Sequence, residues 1–315
     1  MARKSKKINA AAVIFICIAA FLAILYGNSD KNENENASST VKTGNTTSQV
    51  HFIDVGQGDS ALITSEGKNI LVDTGERDSS NKLINYLNGI KSEQGGEFVI
   101  DYLIITHPHT DHMGEAADVL KAFEVKNIIM PKVASSVTPT NSIYKYFLQT
   151  VKSQGKKITA AKGDSFDFGS GKIEMFTPEK QYSDLNSYST LVKFTDGDSS
   201  FLITGDCDFD EEDEILGYGY DLSAKVLKVG HHGSRTSSGN SFLKAVDPRY
   251  AVISCGEGNS YGHPHKQLLN RFKKYVSEDN IFITMNDGNI IFTTDGGKTL
   301  TADTDKSAGK GEYNA

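Results

Sequence analysis

The chain has 315 residues, 38% of them hydrophobic, which suffices for a sizeable core in one large domain or two small ones. The formal charge is −7, and Arg3, Lys4, Lys6 and Lys7 all precede the first apolar segment, so the remainder carries −7 − 4 = −11. That balance excludes a protein that coats nucleic acid by general basicity, and cysteines at 17, 207 and 255 alone exclude a thiolate zinc site.

In chain order, residues 1–27 combine a basic start with the uncharged apolar run 10–26, whose 17 residues fall between a signal-peptide core and a full membrane span of about 20. No Ala-x-Ala pattern ends this run, which favours an uncleaved signal anchor over a cleaved signal peptide. The basic residues stay inside in either case, so the rest is expected outside the cytoplasm, held by a single-pass membrane helix or secreted. Residues 28–48, rich in Asn, Ser and Thr, read as a disordered polar linker. Residues 296–315 read as a disordered tail, leaving a folded unit at 49–295.

Within that unit, 50–55, 60–64 and 69–72 read as strands and 81–90 as a helix with Leu83, Ile84 and Leu87 on one face. Strand 101–105 leads into amphipathic helix 115–123. Strand 125–130, helix 142–153 and strands 172–176, 189–194 and 201–204 follow. A second series comprises strand 225–229, helix 240–246, strand 250–254, helix 266–276 and strands 281–285 and 289–293. Strand clusters punctuated by helices in both halves predict an α/β fold of two packed sheets with outer helices. Cys207 and Cys255 read as small buried strand-end residues, with a disulfide between them as the alternative.

The turn between strand 101–105 and helix 115–123 is Thr106-His107-Pro108-His109-Thr110-Asp111-His112-Met113-Gly114. On an extended segment residues i and i+2 point the same way, so His107 and His109 can converge, with Asp111 and His112 aimed nearby. Three imidazoles and a carboxylate at that density suit Zn²⁺ or a similar transition metal. Asp206 follows strand 201–204, either as a metal carboxylate or as an N-cap for the chain from Phe209 onward. His231 and His232 follow strand 225–229, and His263-Pro264-His265 repeats the i, i+2 geometry at another strand-to-helix turn. His51, on the first strand, reads as structural.

These motifs resemble the metallo-β-lactamase superfamily: His107-x-His109-x-Asp111-His112 after a hydrophobic strand, Ile70-Leu71-Val72-Asp73-Thr74-Gly75 before it and Ile203-Thr204-Gly205-Asp206 after it. Phe52-Ile53-Asp54-Val55-Gly56-Gln57-Gly58-Asp59-Ser60, Asn186-Ser187-Tyr188-Ser189, Gly230-His231-His232-Gly233-Ser234 and Asn259-Ser260-Tyr261-Gly262-His263-Pro264-His265 resemble its ComEC-type competence and DNA-uptake branch, without that branch's large multi-span membrane region. The resemblance implies a four-layer αββα sandwich of two mixed sheets and hydrolysis by a metal-activated hydroxide. It implies two divalent ions, Zn²⁺ first and Mn²⁺ next, held by His107, His109, Asp111, His112, Asp206 and one of His231 and His232, with His232 preferred and Asp206 bridging. Asp111, Asp206, His231, His263 and His265 are the implied catalytic set. Asp73, Asp54, Gln57, Asp59, Asn186, Ser189 and Ser234 are implied to orient ligands or contact substrate.

One departure is informative. No histidine lies between His112 and Asp206, where lactamases and thioesterases of the superfamily usually carry a further ligand. The departure disfavours β-lactam hydrolysis and leaves His107, His109, Asp206 and water for the first metal. Charge adds a hint: residues 196–221 hold ten acidic residues and no basic one, whereas 223–275 holds nine Lys or Arg against two acids. The basic half contains both later histidine turns and could draw in a polyanion. The expected activity is that of an extracytoplasmic phosphodiesterase or nuclease, with DNA as first candidate substrate. The alternatives are a phosphorylcholine or wall-polymer esterase and a non-catalytic DNA-binding surface module. No stable protein partner is inferred.

Overall fold

The computed structural model describes residues 47–78 and 80–306. The expected anchor at 1–27 and almost all of the linker at 28–48 lie outside the described residues. Among the described residues no helix is long and apolar enough to cross a membrane.

The first sheet begins with antiparallel β1 (Ser48–Phe52), β2 (Ala61–Ser65) and β3 (Lys68–Val72), followed after helix α1 (Lys82–Glu93) by β4 (Val99–Ile104). Two helices, α2 (Thr110–Met113) and α3 (Ala116–Ala122), lead to β5 (Glu124–Met130), and α4 (Ser142–Ser153) leads to β6 (Ile158–Ala160). The second sheet holds β7 (Ser165–Phe168), β8 (Gly171–Phe176), β9 (Leu191–Asp196) and β10 (Ser199–Ile203), then α5 (Phe209–Gly217) and β11 (Val226–Lys228). It is completed by α6 (Asn240–Val246), β12 (Tyr250–Ile253), α7 (Lys266–Phe272) and β13 (Ile281–Ile283). After a short helix, α8 (Thr284–Asp287), the chain returns to the first sheet as β14 (Ile290–Thr294) and β15 (Leu300–Thr304). The sheet orders are β15-β14-β1-β2-β3-β4-β5-β6 and β13-β12-β11-β10-β9-β8-β7.

Alternation along the strands makes the layers. In β2 and β3, Leu62 and Leu71 face the helices α1, α3 and α4, whereas Ile63, Ile70 and Val72 face the other sheet. In β10 and β11, Phe201, Ile203 and Val226 enter that same central slab, and Leu202 and Leu227 pack outward on α5, α6 and α7. Strands apolar on both faces require cover on both, and four α/β/β/α layers result. Helix α4 shows the local logic: Asn141 caps it by accepting from the Tyr144 amide at 2.8 Å, and Tyr144, Phe147, Leu148 and Val151 form its buried stripe.

The expected tail at 296–315 needs correction at Leu300–Thr304, which pairs antiparallel with β14, while 307–315 lie outside the described residues. Leu300 and Ala302 of this edge strand pack on the central slab, while Thr301 and Asp303 are exposed. Strands β6 and β7 were likewise not expected; both are short. Cys207 and Cys255 are buried free thiols, so the disulfide alternative is not realised.

His51 is structural, its Nδ1 lying 2.6 Å from the Tyr86 hydroxyl. Burial pushes its pKa down from 6.5 to about 4. Below pH 6.5 the unfolded chain therefore binds the extra proton first. This contribution to stability is full above that pH and is lost as pH falls toward 4, by about 2 kcal/mol between pH 7 and pH 5. Urea midpoints at the two pH values should drop further for the wild type than for His51→Gln; equal drops would contradict the assignment.

Candidate metal centre

The parallel pairs β3-β4 and β10-β11-β12 deliver their C-terminal ends to one edge of the sandwich, where open α/β sheets commonly bind ligands. His107 and His109 follow β4, Asp111 and His112 sit on α2, Asp206 follows β10, and His231 and His232 follow β11. Two backbone approaches need glycine here. At Gly58 a Cβ would stand 2.5 Å from the Asp111 carbonyl oxygen, and at Gly205, with φ +52°, 2.7 Å from Thr106 Oγ1. His231 and His232 themselves take positive φ, 49° and 51°, the kind of strain that surrounding structure holds at functional sites.

The cluster closes around Asp206, which is 2% exposed. Its Oδ1 lies 3.1 Å from His112 Nε2 and 3.4 Å from His232 Nε2. Its Oδ2 lies 3.9 Å from His107 Nε2 and 3.8 Å from His231 Nε2. His109 Nδ1 is 3.0 Å from His107 Nε2. Two groups of donor atoms, each within 4.8 Å of one another, thus share one carboxylate: His107, His109 and Asp206, and Asp59, His112, Asp206 and His232.

The outer ring nitrogens are committed elsewhere. His112 Nδ1 is 2.8 Å from Asp73 Oδ2, and Asp73 also accepts from the Thr106 amide and hydroxyl, each at 2.7 Å. His232 Nδ1 donates to the Ser254 carbonyl at 3.0 Å. A carbonyl only accepts, so His232 presents a lone pair at Nε2 when neutral. His112 Nε2, His232 Nε2 and Asp206 Oδ1 are buried and make no hydrogen bond. Such orphans are rare in folded proteins, and imidazole with carboxylate is a donor set for divalent first-row metals. The residues fit a pair of such ions.

Electrostatics agree. Burial opposes protonation of His112 and His232, yet Asp206, joined by Asp73 at the first and Asp59 at the second, raises both well above the usual histidine range. Burial would likewise raise Asp206, but His232 and His112 hold it well below the carboxylate range. The pocket concentrates affinity for positive charge. His107 differs: burial, then the charge of His112, lowers it.

Asp59 falls within the second donor group and Asp111 does not. Asp59, expected to orient ligands or contact substrate and not to ligate, is buried within the cluster and approaches the rear of the imidazoles: Oδ1 is 3.3 Å from His232 Nδ1 and Oδ2 is 3.8 Å from His112 Nδ1. Asp111 Oδ2 stands 3.2 Å from His232 Nε2, on the same side as Asp206. Asp59 Oδ2 also accepts from Lys228 Nζ, which reaches the Gly205 carbonyl at 3.2 Å. Lys228 was counted with the basic half, but it is buried and committed. Arg271 is similarly engaged, donating to the carbonyls of Ser237, Ser238 and Arg235.

The remaining expected residues divide. Ser189 Oγ accepts from the Asp206 amide at 3.1 Å and donates to the Asn186 carbonyl at 2.7 Å, and Asn186 Nδ2 is 3.4 Å from His231 Nε2. His231 Nδ1 meets Asp208 Oδ1 at 3.0 Å. Burial lowers the pKa of His231, but Asp208 and Asp206 leave it raised. Asp208, not Asp206, is the N-cap residue of α5. His263 is buried beside His232 and His231; burial, then the charges of these two, holds it down at about 4. The structure does not bring Asp54, Gln57, Ser234 or His265 into the cluster. Asp54 accepts from the Gly56 amide and Gln57 from the Gly256 amide, Ser234 meets Thr236, and His265 Nδ1 accepts from the Arg235 amide at 3.0 Å. Lys228 and Asp208 escaped the sequence reading because the first sits inside an apolar strand and the second resembles its acidic neighbours.

The metallo-beta-lactamase superfamily model matches residues 53–257. ComE operon protein 3 of Bacillus subtilis (strain 168) is 32% identical over 249 residues, 72% of this chain and 31% of that protein. Competence protein ComA of Neisseria gonorrhoeae is 30% identical over 227 residues, 70% of this chain and 29% of that protein. The chain thus spans about three tenths of the length of these curated relatives. The metallo-beta-lactamase fold protein YhfI from Bacillus subtilis superposes with a TM-score of 0.51 at 14% identity, covering 78% of this chain and 100% of that one, a likeness of fold alone. Layers, cluster and family match agree, and the chain belongs to the metallo-beta-lactamase superfamily.

Proposed function

We infer that this protein is a two-metal phosphodiesterase acting outside the cytoplasm, with DNA as its first candidate substrate. The observation that carries this reading is the shared Asp206 carboxylate, with one oxygen turned to His112 and His232 and the other to His107 and His231. His107, His109 and Asp206 would hold one ion, and Asp111, His112, Asp206 and His232 the other, with Asp59 supporting the second set from behind. When bound, Zn²⁺ or Mn²⁺ would activate water for attack on phosphorus and offset the charge that develops on its oxygens.

The protein's own groups supply the rest. Asp73 fixes the His112 ring and frees its Nε2 for ligation. His231, a quarter exposed and held by Asp208, stands where it could protonate a departing oxygen. His265, whose Nδ1 accepts from the Arg235 amide, lies outside the cluster. Similarity to a protein named for competence supports DNA over other phosphodiesters, and the exposed Arg235 and Lys266, next to the two later histidine turns in sequence, point the same way.

The test is a substrate panel with metal-loaded protein: linear DNA, bis-p-nitrophenyl phosphate, phosphorylcholine esters and teichoic-acid fragments. Cleavage of DNA and of the synthetic diester supports the reading. Turnover confined to the wall-polymer compounds would replace it with the esterase reading. Salt-sensitive DNA binding without turnover would make the protein a surface module.

A further inference from the structure

We propose that Tyr261 is a stacking platform for a nucleobase at the mouth of the metal centre, so that a single-stranded nucleic acid places one base on Tyr261 and an adjoining phosphodiester at the histidine-aspartate cluster. This rests on the phosphodiesterase reading and adds to it what the site recognises besides phosphate.

Tyr261 is 64% exposed, against 41% for Tyr220, 39% for Phe209 and 37% for Tyr218, the other exposed large apolar side chains among the described residues. Exposing an aromatic face to water is costly, and single exposed apolar residues are common enough to need no explanation by themselves. The surroundings of this one differ. Its ring lies nearly parallel to His263, with centroids 5.6 Å apart and planes at 18°. His263 in turn stacks toward His232, at 6.1 Å and 28°, and meets His231 edge-on at 5.7 Å. A staircase of rings therefore runs from a candidate metal ligand to solvent and ends on a π-face.

The loop that carries the platform is held in place. The Asn259 side chain accepts from the His263 amide at 2.9 Å and donates to the carbonyls of Gly256 and His263 at 2.9 and 2.7 Å. The Gly256 amide is fastened to Gln57 at 3.1 Å and the His265 amide to the Gly233 carbonyl at 2.9 Å. The loop on both sides of Tyr261 is thus braced before any ligand arrives, which lowers the entropic cost of binding. Arg235, exposed, neighbours His265 through its amide. A flat, one-sided ring on a turn whose neighbour Arg235 is exposed suits a neutral base joined to a phosphate. It does not suit a quaternary ammonium, which is recognised by a cage of several rings. Base-aromatic stacking is tolerant of sequence because every base has a π-face.

The test uses the full metal-loaded chain and two labelled, nuclease-resistant phosphorothioate strands, one of thymidines and one of the same length without bases. Wild type should bind the thymidine strand roughly tenfold more tightly than the abasic one. Tyr261→Ala and Tyr261→Leu should bring that ratio close to one, and Tyr261→Phe should retain it. An undiminished ratio in Tyr261→Ala, or no base preference in wild type, overturns the proposal. A Tyr261→Ala loss of affinity for poly(glycerol phosphate) as large as that for the thymidine strand overturns it too. Cleavage of unmodified strands is followed in parallel. Cleavage without base preference overturns the platform alone, whereas base preference without cleavage overturns the phosphodiesterase reading and leaves the platform standing.

Discussion

Asp206→Ala is expected to lower metal-dependent phosphodiester hydrolysis roughly a thousandfold or more and to leave fewer than two ions per chain. The physical reason is that Asp206 faces both donor groups at once. Its loss removes the anion that raises the affinity of His112 and His232 for positive charge, and with it a donor from each set. Asp206→Asn keeps the shape but not the charge and should lose nearly as much. Elemental analysis of the purified variants, read beside their rates on bis-p-nitrophenyl phosphate, checks both halves. Full metal content with a wild-type rate would show that the carboxylate is not shared by bound ions.

Lys228→Met should cost up to about 3–5 kcal/mol of stability, because it takes from the buried Asp59 carboxylate its lysine partner and leaves only the His232 and His112 rings beside it. Lys228 is 1% exposed and Asp59 3%, so neither can recover its partner from water. The pair links the β1-β2 loop of the first sheet to β11 of the second, and its break should also loosen the rear support of His232. The double variant Lys228→Met with Asp59→Asn removes both charges and should regain part of the loss, since a neutral pair needs no counter-ion. Urea unfolding of the four proteins measures the coupling. Strictly additive losses would mean that the two groups do not stabilise each other.

Several parts of the centre were legible from residue type and spacing. His107, His109, Asp111 and His112 lie on one strand-to-helix turn, where local geometry alone makes them converge. Strands such as β3 and β10 announce themselves as apolar runs because both of their faces are covered. The edge strand Leu300–Thr304 is half exposed and polar on alternate residues, so its composition matches that of a tail, and only its pairing with β14 distinguishes the two. Asp59 and Lys228 meet across 169 residues of sequence, a separation at which no periodicity links them. Tyr261 was visible as a member of a motif, but its stacking on His263 depends on how the Asn259 loop is braced, a property of the folded chain.

The most direct measurement is metal content by elemental analysis together with bis-p-nitrophenyl phosphate turnover, made on the same sample before and after stripping and reloading with Zn²⁺ or Mn²⁺. The predicted result is two ions per chain, activity lost on stripping and activity restored on reloading. A folded protein that retains no divalent ion at this site, or one whose diester turnover is indifferent to the metal, would contradict the account.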